Sequence, residues 1–250
     1  AQTRREDNDS PKFQGAKTNV TFDSSVNSLK LTDPATNATG EYAFNEVLDL
    51  GGVFSLDLKR HIQTESFYSG SLFNSRTALI DTWTDFDGGQ ATATNCEMLV
   101  AVTQDNPSSG SPTFTAFQTF VNGTYKGRGF KFKVILSTDD PAQNIKVSEL
   151  GYTATFQRRT EQSATAIASG SGVKNITFSS PFFTGTSALL GANSNLPSIG
   201  ITATDNITSG DYFQVTNISS TGFSVHFKDS TNASINRNFN FSAVGFGKGV

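Results

Sequence analysis

The chain is poor in the residues that build covalent frameworks and most catalytic centres. Its 250 residues include one Cys, one Met, one Trp and two His. A single cysteine excludes an intrachain disulfide framework. Cys96 stands in TNCEMLVAV, beside an alternating apolar run and with no His near it, and reads as a passive, partly buried thiol. A chain without disulfides suits assembly in a reducing compartment. Charge is scarce too: 16% of residues are charged, against roughly 25% in an average soluble domain. The formal net charge is −3, which argues against a nucleic-acid partner, since such binding rests on phosphate neutralisation. No apolar run approaches the roughly 18–20 residues of a membrane-spanning helix, so no membrane insertion is expected. The chain opens at Ala1 without Met or a charged-then-apolar leader, and this reads as a piece of something longer.

What the chain has is phenylalanine, 22 of them, and Ser plus Thr at about a quarter of all residues. So many large rings supply a core and argue against disorder. The apolar residues recur two apart. In VFSLDLKRHI, Phe54, Leu56 and Leu58 fall on one face, with Val53, Ser55, Asp57 and Lys59 on the other. In GFKFKVIL, Phe130, Phe132, Val134 and Leu136 share a face opposite Lys131 and Lys133. This period of two marks strands with one buried face. Turn clusters such as TDPATNATG, DNPSSGSP and TDDPAQN separate the runs, and no stretch shows a convincing helical period. The expected fold class is all-β, with two antiparallel β-sandwich domains in tandem. Residues 1–17 read as a linker or N-terminal arm, 18–158 as the first sandwich, 159–172 as a polar, glycine-bearing linker, and 173–250 as the second sandwich.

Candidate chemistry is sparse. His61 follows Lys59 and Arg60 at a strand end, and His226 alternates with the Phe223, Val225 and Phe227 stripe, so both read first as solvent-facing strand residues. Two histidines and one cysteine without ligand spacing give no metal signal. Asp81, Asp85 and Asp87 precede Gly88 and Gly89 but lack a complete calcium loop, and a solvated acidic turn is the simpler reading. No nucleophile elbow or phosphate-binding glycine loop occurs, so no catalytic residues, metal or cofactor are assigned, and the chain is read as a binding protein and not an enzyme. The N-x-S/T triplets are little more numerous than composition alone would produce. Aromatic residues in polar surroundings suit the apolar faces of sugars. The candidate receptor or glycan contacts are therefore Trp83 and Phe86 in DTWTDFDGG, Tyr212 and Phe213 at a strand start, and His226. For each, covering a core edge is the structural alternative.

Two resemblances rest on longer stretches. GVKNITFSSPFF, PSIGITAT, YFQVTNISSTGFSVHFK and NFNFSAVGFG follow the order of strands in H-type lectins, with Ile176–Phe178, Pro197–Ile201, Thr221–Val225 and Phe241–Gly245 as the matching parts. Phe241 stands where that family often has Trp. In the first half, EYAFNEVLDLGGVFSLDLKRHI and the later YKGRGFKFKVIL resemble a galactose-binding, discoidin-type jelly roll. The tandem order is similar to the C-terminal region of bacteriophage tail-tip attachment proteins. That resemblance implies a virion protein at the distal tail, made in the host cytoplasm. It implies as partners other copies of itself in a homotrimer, other tail proteins, and a bacterial surface glycan or receptor. The alternative it leaves open is a structural tail-tip or fibre module that touches no receptor.

Overall fold

The computed structural model describes residues 1–69, 79, 91–186 and 194–249. Every regular element among them is a strand, and the sheets are antiparallel, as the alternation predicts. The chain divides into two compact units. The first comprises Ala1–Leu48, Leu58–Gly123 and Gly129–Ala154. The second comprises Asp49–Asp57, Thr124–Arg128 and Thr155–Val250.

The first ten strands belong to one sheet. They are β1 (Gln2–Arg5), β2 (Ala16–Thr18), β3 (Val20–Asp23), β4 (Ser28–Leu31), β5 (Thr39–Ala43), β6 (Leu48–Tyr68), β7 (Thr94–Thr103), β8 (Gln118–Thr119), β9 (Gly123–Thr138) and β10 (Gln143–Thr155). Their order is β2-β5-β9-β6-β10-β4-β3, with β1 on β10, and with β7 pairing both β8 and β9. The alternating stretch in β9 behaves as its pattern requires. Phe130, Phe132, Val134 and Leu136 are buried, and Lys131 is exposed. Phe132 stacks on Tyr152 with ring centroids 4.4 Å apart and meets Phe120 at 5.4 Å.

Residues 1–17 do not behave as a free linker. β1 pairs with β10 from Gln2↔Ala154 to Arg5↔Gly151. Phe13 is buried against Phe22 and Tyr42. The side chains here are polar because the ladder is made by backbone groups and each buried acid has a partner. Asp7 accepts from Leu150 N at 2.9 Å and pairs with Arg5, while Glu6 accepts from the Tyr42 hydroxyl.

The second unit carries β11 (Arg158–Gln162), β12 (Ile167–Ala168), β13 (Lys174–Thr177), β14 (Ser198–Ala203), β15 (Tyr212–Thr216), β16 (Gly222–Lys228) and β17 (Asn238–Phe246). β17 is the hub of one sheet and pairs β11, β12 and β14. The other sheet has the order β13-β16-β15. Ile176 from β13, Phe223, Val225 and Phe227 from β16, and Phe239, Phe241 and Ala243 from β17 form one buried cluster between these sheets. Two sheets with a shared apolar interior make this unit a β-sandwich. The stretch 159–172 is also strand-bearing: β11 and β12 both add to β17. Its polar composition reflects an edge position, where one face and one rim meet water.

Candidate functional site

Of the predicted contact residues, Tyr212 and Phe213 come together in a cleft of the second unit. The cleft has a volume of about 270 Å³ and is lined by Ile207, Asp211, Tyr212, Phe213, Phe227 and Arg237. It is built from the β15 end outward. β15 pairs with β16 in the register Tyr212↔Lys228 and Phe213↔Phe227, so Phe213 shares a face with the core residue Phe227. Their ring centroids lie 5.5 Å apart. Phe227 is 1% exposed and rests on Phe239, whereas Phe213 is 40% exposed. The buried ring thus props the exposed one, and a flat aromatic surface is held at the cleft wall.

Tyr212, at the start of β15, lines the same cleft, and its hydroxyl donates to Asn232 Oδ1. Asn232 is presented by a tight turn. Asp229 Oδ1 accepts from Thr231 N at 2.8 Å, Thr231 Oγ1 at 2.8 Å and Ala233 N at 3.0 Å. Those bonds hold the Asp229 carboxyl below its ordinary range, the Thr231 hydroxyl contributing most. On the preceding side, Gly210 has a φ of 90°. A Cβ there would lie 2.7 Å from Ser230 Cβ, so glycine alone permits this turn into β15.

The polar edge of the cleft is the pair Asp211–Arg237. Arg237 donates through Nη2 at 2.5 Å and Nε at 3.2 Å to one Asp211 oxygen, and Thr208 N donates to the same oxygen at 3.0 Å. The Arg237 hydrogen bond, then the Thr208 amide, keeps the Asp211 carboxyl below its ordinary range. Arg237 also donates to Asn236 O at 3.0 Å. Both side chains are fixed before any ligand arrives, with the charge of each offset by the other. A rigid aromatic face beside a preformed, neutralised polar pair can stack the apolar face of a neutral ring and hydrogen-bond its hydroxyls.

The other predicted contacts lie elsewhere. His226 pairs with Gln214, is half-buried and bonds Ser234 Oγ through Nε2 at 2.8 Å, so it does not line this cleft. Trp83 and Phe86 lie outside the described residues, as do Asp81, Asp85 and Asp87. His61 bonds Thr153 Oγ1 at 2.7 Å within the first unit, and burial followed by the nearby Arg5 and Lys59 charges lowers its pKa. Burial pushes the Cys96 thiol up to about 12, so it is protonated at neutral pH and a poor nucleophile. Among the described residues no three His, Cys, Asp or Glu side chains converge as metal ligands. Comparison of the chain with protein-family profiles, with curated proteins and with solved structures finds no match.

Asp211 and Arg237 were not anticipated from the sequence. An ion pair 26 residues apart leaves no local signature. The one available hint is the SGDYF turn, whose glycine marks a forced backbone conformation directly before two aromatic residues.

Proposed function

We propose that this chain is a non-catalytic attachment module of a bacteriophage tail tip or fibre, which recognises a bacterial surface glycan through the Tyr212–Phe213 cleft. The observation that carries the reading is the exposed Phe213 ring held on buried Phe227, beside the pre-paired Asp211 and Arg237. The tandem resemblance in sequence supplies the biological setting. Single sugar sites bind weakly, and a homotrimer would raise avidity without new contacts. The low charge and abundance of Ser and Thr suit an exposed binding surface that exerts little long-range field.

Competition tests this directly. The purified chain is expected to bind on a bacterial glycan array and to block phage adsorption to host cells. Replacing both Tyr212 and Phe213 by Ala should reduce binding at least about tenfold, the range for losing aromatic anchors, with the fold retained. Undiminished adsorption competition by that variant would instead favour a purely structural tail module. Light scattering of the purified chain is expected to give three times the 26.7 kDa monomer mass, and a monomer would remove the avidity argument.

A further inference from the structure

The second unit contains another, larger cleft, of about 550 Å³, away from Tyr212 and Phe213. Its construction begins with alternation along β11. Arg158 and Arg159 pair with Phe246 and Gly245 of β17, so the two arginines face opposite ways. Arg159 turns toward the sandwich. Its guanidinium lies 3.8 Å from the Phe182 ring centroid and donates to Glu161 at 2.9 Å and to Ser180 O at 2.7 Å. Arg158 is exposed and lines the cleft with no carboxylate partner among the described residues, whereas Arg159, which also lines it, has its charge offset by Glu161.

Lys248 reaches the same cleft by a forced turn. Gly247 has a φ of 72°, and a Cβ there would lie 2.9 Å from Phe183 and 3.2 Å from Phe156. The chain must therefore bend at this glycine, and Lys248 follows at the cleft, exposed and likewise without a carboxylate partner among the described residues. Among the described residues, the one acid lining the cleft is Asp57, which accepts from the Thr124 hydroxyl at 2.5 Å. Gln157 adds a side-chain amide. Two uncompensated cations thus face one carboxylate, in a chain whose net charge is −3.

We propose that this cleft is a binding site for an acidic saccharide, with Arg158 and Lys248 holding its oxyanion and Asp57 and Gln157 taking its hydroxyls. The volume suits one or two sugar rings, since small-molecule sites span roughly 300–1,000 Å³. A guanidinium fork and an ammonium together match a carboxylate or a phosphate, and both gain from charge-assisted hydrogen bonds. Two cations are too few for nucleic acid, whose affinity grows with the number of phosphates neutralised. A neutral sugar would leave both charges unused. The site stands apart from the Tyr212–Phe213 cleft and does not depend on it.

The test titrates the full chain with glucuronate, glucose 6-phosphate, glucose and inorganic phosphate, followed by NMR and calorimetry. At least one acidic sugar is expected to bind about tenfold or more tightly than glucose, and more tightly than inorganic phosphate. The preferred acidic sugar identifies carboxylate or phosphate as the anion. The double variant Arg158→Gln, Lys248→Gln should weaken that binding at least about tenfold with an unchanged melting temperature. Replacing Tyr212 and Phe213 should leave it intact. Equal binding of glucose and the acidic sugars, no binding of either acidic sugar, or indifference to the double variant would each overturn the proposal. Inorganic phosphate binding as tightly as glucose 6-phosphate would overturn the saccharide assignment.

Discussion

Glu6 shows how a single buried acid sets a pH response. It is 1% exposed, accepts from Tyr42, and has Arg4 Nε 3.6 Å from Oε1, an oxygen without a hydrogen-bond partner among the described residues. Burial dominates over these partners and raises its pKa. The folded state therefore holds this proton more tightly than the unfolded chain. Its contribution to stability is favourable at low pH and diminishes as pH rises above roughly 4.3, the ordinary glutamate value. Glu6→Gln keeps an acceptor for Tyr42 and cannot ionise. Urea unfolding should show the variant gaining stability relative to the parent as pH rises from 4 to 7, and a constant difference would refute this assignment. Gly210 belongs to the same scale. Gly210→Ala is expected to cost about 1–3 kcal/mol through its positive φ and the contact with Ser230, read as a lower unfolding midpoint.

The long strands were the legible part of the sequence. In β9 and β16 a period of two over Phe and Val residues leaves one consistent choice of buried face, because a one-residue slip would expose the whole stripe. Phe132→Ala should therefore destabilise by about 3–5 kcal/mol, while exposed Lys131→Ala should change stability by less than about 1 kcal/mol. Thermal or denaturant melts of the two single variants separate these outcomes. β1 and β11 were not legible as strands. Both are polar, and their place in the sheets comes from main-chain ladders to β10 and β17 that side-chain periodicity does not encode. At the site, the exposed aromatic pair could be read from YF at a strand start. The Asp211–Arg237 partnership could not, because it depends on β17 returning beside the turn before β15. His226 alternates with buried Val225 and Phe227 along β16, and the Ser234 hydroxyl that engages it comes from a turn whose path the sequence does not specify.

At the scale of the whole molecule, chain order and compact units do not coincide. β6 and β9 each contribute residues to both units: Asp49–Asp57 and Thr124–Arg128 belong with the sandwich that follows Thr155. Within that second unit, Phe54 packs edge-on to Phe156 and Phe183 at 6.1 and 5.5 Å, and Phe54 bridges to Gly249. A fragment beginning at residue 159 lacks Phe54 and Phe156, and so lacks the rings that cover Phe183. Such a fragment is expected to show poor amide dispersion by NMR, whereas the full chain should be well dispersed. A well-ordered fragment would mean that the borrowed segments are dispensable.

This interleaving bears on how such a chain could change its specificity. Under the two binding roles proposed above, ligand choice could drift by point changes around Phe213 or Arg158, because those side chains sit on an already completed scaffold. Wholesale replacement of the C-terminal body by recombination would need three separated inserts to be exchanged together. Variation by substitution is therefore the accessible route, and transplantation of one contiguous block is not.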